Sequence, residues 1–140
     1  MEKRKRTLWI VTELFPPDET STAYIMGEIA NTFVSKYKVK VICGSEVYDK
    51  RKKIDQNNAF KTNASIEVIR AHSVNLDKNT IKGKVLGFLL VSHRLLKLAK
   101  RHIQKEDKVL MVTNPAPLVI LMSCLKTVSY THLTLPTNSL

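Results

Sequence analysis

Acidic residues, cysteines, aromatics and long apolar runs are all scarce in this chain, and each shortage removes a class of function. Asp and Glu number 12 against 23 Lys and Arg, which leaves a net charge of +11. Such an excess calls for an anionic partner: nucleic acid, an anionic membrane surface, or a phosphorylated small molecule. Aromatics make up only 6% of the residues, and none are interleaved with the basic clusters as stacking platforms. No nucleic-acid-binding module motif is present either, which sets nucleic acid behind the other two classes. The two cysteines, Cys43 and Cys124, stand alone without metal-ligand spacing and read as buried free thiols. His72, His93 and His102 have no partner ligand at a suitable distance in sequence, so neither a metal site nor a cofactor-binding residue is expected. The longest apolar run in the middle of the chain, residues 85–91, includes Gly87 and is far short of the ~20 residues that span a bilayer. The basic start MEKRKR runs straight into a strand pattern, without the apolar core and cleavage site of a secretory signal. A cytoplasmic protein is expected.

What is present is an α/β pattern. At 140 residues and 44% hydrophobic, the chain is sized for one domain with a real core. Leu8, Trp9, Ile10 and Val11 form a continuous apolar run, as in a strand covered on both faces. Pro16 and Pro17 end it. A helix follows, read from Ile25, Ile29 and Phe33 at intervals of four, with Met26, Ala30 and Val34 beside them and Ser21 or Thr22 as cap. Residues 37–43 alternate as a second strand, residues 44–63 read as a solvent-exposed polar loop, and residues 65–70 as a third strand. From Thr80 to Gln104 runs a long basic amphipathic helix, with Ile81, Val85, Phe88, Leu89, Ser92, Leu95, Leu96 and Ala99 on one face. Residues 108–113 form a fourth strand that stops at Asn114-Pro115-Ala116-Pro117, and residues 118–125 resume an apolar helical pattern. This order predicts a Rossmann-like, mostly parallel sheet with helices on both faces. Right-handed crossovers would bring the turns at 13–22 and 113–117 to the carboxyl edge of the sheet, where ligands of such sheets bind.

With that order in place, residues 7–43 and 108–126 resemble the N-terminal domain of family 4 glycosyltransferases with the GT-B fold, in particular those that build bacterial surface polysaccharides. The resemblance rests on Phe15-Pro16-Pro17 followed by Thr20, Ser21 and Thr22, on Ile42-Cys43-Gly44 after a lysine-rich strand, and on the turn from Thr113 to Pro117. It implies the N-terminal half of a GT-B fold, incomplete, with the nucleotide-sugar donor held mainly by a missing C-terminal domain that would also carry the paired-glutamate motif. The acceptor, a growing lipid-linked glycan, would lie against Glu13, Thr20, Ser21, Thr22 and Asn114. For Glu13 a solvated strand-end carboxylate is an equal reading, capping alone accounts for one of the three hydroxyls, and Asn114 can simply end a strand. Relatives often carry Gly-Gly where this chain has Asp18-Glu19-Thr20-Ser21, and that loss restricts close approach to a phosphate.

Residues 128–137, VSYTHLTLPT, resemble a translated sequencing adapter. The expected organisation is therefore a truncated acceptor-side domain over 1–127 and a non-native tail over 128–140, inactive by itself. The basic residues of the helix from Thr80 to Gln104 are expected to rest on the anionic inner face of the cell membrane, as a peripheral contact. The competing reading is a non-enzymatic Rossmann-like module that binds nucleic acid or another acidic partner through its basic face.

Overall fold

Thr7–Val11 is a strand, β1, whose last four residues are all buried; only a sheet covered on both faces allows that. The computed structural model describes residues 6–45, 60–72 and 80–112. After β1 come α1 (Ser21–Phe33), β2 (Lys38–Cys43), β3 (Glu67–Arg70), α2 (Ile81–His102) and β4 (Lys108–Met111). The expected turn at 113–117 with Asn114, the apolar segment 118–125 with Cys124, and the expected non-native tail 128–140 lie outside the described residues.

The four strands are all parallel, in the order β3-β2-β1-β4. Alternation along β1 divides the core into two layers. Ile10 packs with Phe15, Met26, Ala30, Val39, Val41 and Cys43 beneath α1. Trp9 and Val11 pack with Ile42, Ala71, Leu95 and Ala99 beneath α2. The chain steps outward from β1 to β2 through α1, then returns past both strands through α2 to reach β4. Steps in opposite directions put right-handed connections on opposite faces, which is where the two helices sit. The doubly covered parallel sheet expected from the sequence is the fold.

Several local details differ from the sequence pattern, each for a packing reason. The cap of α1 is Thr20, whose Oγ1 accepts the Ala23 N–H at 3.2 Å; Ser21 and Thr22 are already inside the helix. Its buried line is Ala23, Met26, Gly27 and Ala30, whereas Ile25 is 53% exposed. Small residues on that line let the helix lie close to its neighbours. Part of the expected exposed loop is one of them: Phe60 meets Tyr24 edge-on at 5.1 Å, and Asn31 donates to the Lys61 carbonyl and accepts from the Asn63 N–H. β3 begins at Glu67 because Asn63 and Ser65 close a turn before it.

Polar groups within the core layers have partners where the chain needs a fixed register. The Trp9 indole N–H donates to Asp107 at 2.9 Å, and the same carboxylate oxygen accepts the Gln104 N–H. The connection from α2 to β4 is thereby tied to β1. Lys40 lies 5.3 Å over the Trp9 ring and forms an ion pair with Glu67 at 2.7 Å. Cys43 is buried and forms no disulfide. Among the described residues no helix is long and apolar enough to cross a membrane.

Candidate functional site

The direction of travel across the sheet reverses between β1 and β4, so the topological switch point lies beyond their carboxyl ends. The connection from β1 to α1 leaves from that point. Thr12 is fully buried and prolongs the sheet by one residue. Its N–H donates to the Ile42 carbonyl at 3.0 Å, and its hydroxyl donates to the Leu14 carbonyl at 3.0 Å. Phe15, also fully buried, anchors the turn in the core. The Pro16-Pro17 peptide is cis. Asp18 then closes the turn: its N–H donates to the Phe15 carbonyl at 3.2 Å and its carboxylate accepts the Phe15 N–H at 3.4 Å.

Three contacts hold this turn against the rest of the carboxyl edge. The Gly44 N–H, just past β2, donates to the Glu13 carbonyl at 2.9 Å. A Cβ at Gly44 would stand 2.6 Å from that same carbonyl oxygen, so the approach requires glycine. Arg70, the last residue of β3, spans both neighbours, donating to the Gly44 carbonyl at 3.4 Å and to the Pro16 carbonyl. On the helix side, a Cβ at Gly27 would lie 2.8 Å from the Pro16 ring and 2.4 Å from Phe60. Pro16 therefore rests directly on the α1 backbone.

Of the residues singled out from the sequence, Glu13, Thr20, Ser21 and Thr22 come together on this one turn. Glu13 is half-buried, Thr20 and Ser21 are exposed, and Thr22 is half-buried. Thr20 spends an acceptor lone pair on the cap, which leaves its O–H proton outside that bond. Asn114 lies outside the described residues. The Asp18 carboxylate accepts from Phe15 within the turn. Glu19 beside it stays exposed. Among the described residues no group of three His, Cys, Asp or Glu side chains is placed to hold a metal ion. His72 and His93 are exposed, and the His72 carbonyl accepts from Arg94.

Arg70, Gly27 and Phe60 were not legible as site-forming residues. Each acts on the turn from a distance of more than ten positions in sequence, and spacing rules see only neighbours along one element. The edge presents hydrogen-bonding groups: the hydroxyls of Thr20, Ser21 and Thr22 and the carboxylates of Glu13, Asp18 and Glu19, on a turn whose backbone is pinned from both sides. No protein-family model matches this chain, and no curated protein matches it.

Proposed function

We propose that this chain is the acceptor-side domain of a glycosyltransferase, which moves a sugar from a nucleotide-sugar donor to a growing, lipid-linked glycan. The observation that carries the reading is the position of the Phe15-Pro16-Pro17 turn and the hydroxyl run behind it, at the switch point of a parallel sheet. Glu13, Thr20, Ser21 and Thr22 supply acceptors and donors suited to sugar hydroxyls, and the pinned backbone holds them in place before a ligand arrives. Such preorganisation lowers the ordering cost of binding a polar ligand. The nucleotide sugar would be gripped by a second domain facing this edge. No cofactor-binding residue enters the reading.

The lipid-linked acceptor would bring the domain to an anionic membrane surface. Lys97, Lys100 and Arg101 are exposed, and α2 has no acidic side chain over its whole length. Basic residues near such a surface contribute roughly 1 kcal/mol each. Co-sedimentation with anionic vesicles that survives reversal of Lys97 and Arg101 to Glu would remove this part of the proposal.

Residue-resolved chemical shifts of the isotope-labelled chain test the main reading. A panel of methyl glycosides and glycosyl phosphates is titrated first, then a short single-stranded DNA. Shifts centred on Glu13 and Thr20 to Thr22 with a glycan are the expected result. Shifts confined to the basic face of α2 with DNA, and none with any glycan, would replace the enzyme reading by the nucleic-acid one.

A further inference from the structure

α2 is much longer than the sheet it packs on. Its 22 residues span about 33 Å at ~1.5 Å per residue, whereas strands of 4 to 6 residues reach only about 13–20 Å. Two contacts fix the level of the overhang. The His102 ring lies 6.0 Å from Trp9, in the middle of β1. Arg94 donates to the carbonyl of His72, just past the carboxyl end of β3. Residues 81–91 therefore rise beyond the carboxyl edge, on the side of the candidate site.

Along the whole helix runs one apolar stripe. Ile81, Val85, Phe88, Ser92, Leu95 and Ala99 follow one another at intervals of four and three, which keeps them on a single face. Leu95 and Ala99 are buried against the sheet, and Ser92 is buried one turn above Leu95. Ile81, Val85, Phe88 and the adjacent Leu89 are between 43% and 82% exposed. The stripe that faces the sheet below thus continues uncovered above it, turned toward the space over the carboxyl edge. Beside it, Val109 and Met111 of β4 are only half-buried on the same face of the sheet.

The chain supplies an occupant of matching chemistry. β4 ends at the carboxyl edge, and soon after it in the chain come residues 118–125, Leu-Val-Ile-Leu-Met-Ser-Cys-Leu, with one polar side chain and no charge. A chain that continues outward from β4 by a right-handed connection crosses the face that carries α2. We infer that residues 118–125 dock on the overhanging stripe, against Val85, Phe88 and Leu89. A flat bilayer is a poorer fit, because the stripe points to the side on which the body of the domain stands. The inference is independent of the transfer reaction, since it concerns only how the overhang of α2 is covered.

Cys124 provides the probe. Val85→Cys, Phe88→Cys and Leu89→Cys are made singly in the full chain, with Lys97→Cys on the opposite face as control, and each is treated with a mild thiol oxidant. Bridging needs Cα atoms within about 4.4–6.8 Å, so at least one of the three should form an intramolecular disulfide to Cys124, seen by peptide mapping, and the control should not. Bridges only between chains would assign the stripe to a second copy and overturn the inference. Vesicle binding lost on Phe88→Asp, without any intramolecular bridge, would assign it to a membrane and do the same. If the variants fail to fold, alkylation of the unmodified chain decides: Cys124 should react many-fold more slowly than in the unfolded protein, and reaction at the rate of an open thiol would refute the docking.

Discussion

Replacing three glycines by alanine, one at a time, should change stability in different directions, and the reason is what a single added methyl group meets. At Gly44 the Cβ would stand 2.6 Å from the Glu13 carbonyl oxygen, where ordinary contact begins at 3.4 Å. The neighbour is backbone and cannot swing aside. Moving the two chains apart also stretches the Gly44 N–H bond to that oxygen, now 2.9 Å. Overpacking strain of about 1–3 kcal/mol and a weakened hydrogen bond of about 0.5–1.5 kcal/mol together predict a loss of about 2–4 kcal/mol. No described glycine has a positive φ, so the effect is steric rather than conformational. At Gly27 the clash is with the Phe60 ring edge and Pro16. Phe60 can rotate away, and alanine is favoured in a helix by about 1 kcal/mol, so the net loss should be smaller, about 1 kcal/mol. At Gly87 nothing lies within 4 Å, and Gly87→Ala should stabilise the protein by about 0.5–1 kcal/mol. Urea denaturation followed by far-UV circular dichroism, at constant slope, gives all three values on one scale. A Gly44→Ala protein as stable as the parent would refute the tight junction between the β1 and β2 ends on which the candidate site rests.

Ser92→Ala should stabilise the protein by about 1–2 kcal/mol, because the Ser92 hydroxyl is buried with no partner among the described residues; destabilisation in the same titration would show that it has one. Thr20→Ala should cost about 1 kcal/mol by removing the α1 cap, and Thr20→Ser should restore most of it; equal losses for both would mean that the hydroxyl does not cap. Hydrogen bonding and charge from Lys40 hold the Glu67 carboxyl below its ordinary range, against a smaller opposing effect of burial. A lowered value contributes stability that is present above the unfolded glutamate range and lost as pH falls through the lowered one. With the pair largely open to water, Glu67→Gln should cost under ~1 kcal/mol at neutral pH, and the gap between the two proteins should close as pH falls from the unfolded glutamate range through the lowered one. A gap that widens on acidification would contradict the assignment.

The amino-acid sequence by itself determined the class of fold and the order of its elements. That follows from local physics: Leu8 to Val11 are apolar without interruption, the second strand alternates, and α2 keeps its stripe for 22 residues, so hydrophobic periodicity reports each element directly. The turn with Glu13, Thr20, Ser21 and Thr22 was legible for the same reason, since prolines and hydroxyls punctuate a chain wherever it turns. Which residues hold that turn was decided only in three dimensions. Arg70 reaches Pro16 across 54 positions, Phe60 settles over Gly27 from a stretch without any periodicity, and the burial of α1 shifts from Ile25 to the smaller Ala23 and Gly27. Tertiary structure also divided a stripe that is uniform in sequence: Leu95 is buried and Ile81 is open, because a helix of 22 residues outruns strands of 4 to 6. Periodicity tells which face of a helix seeks cover, and only the lengths of the neighbouring elements decide how much of that face receives it.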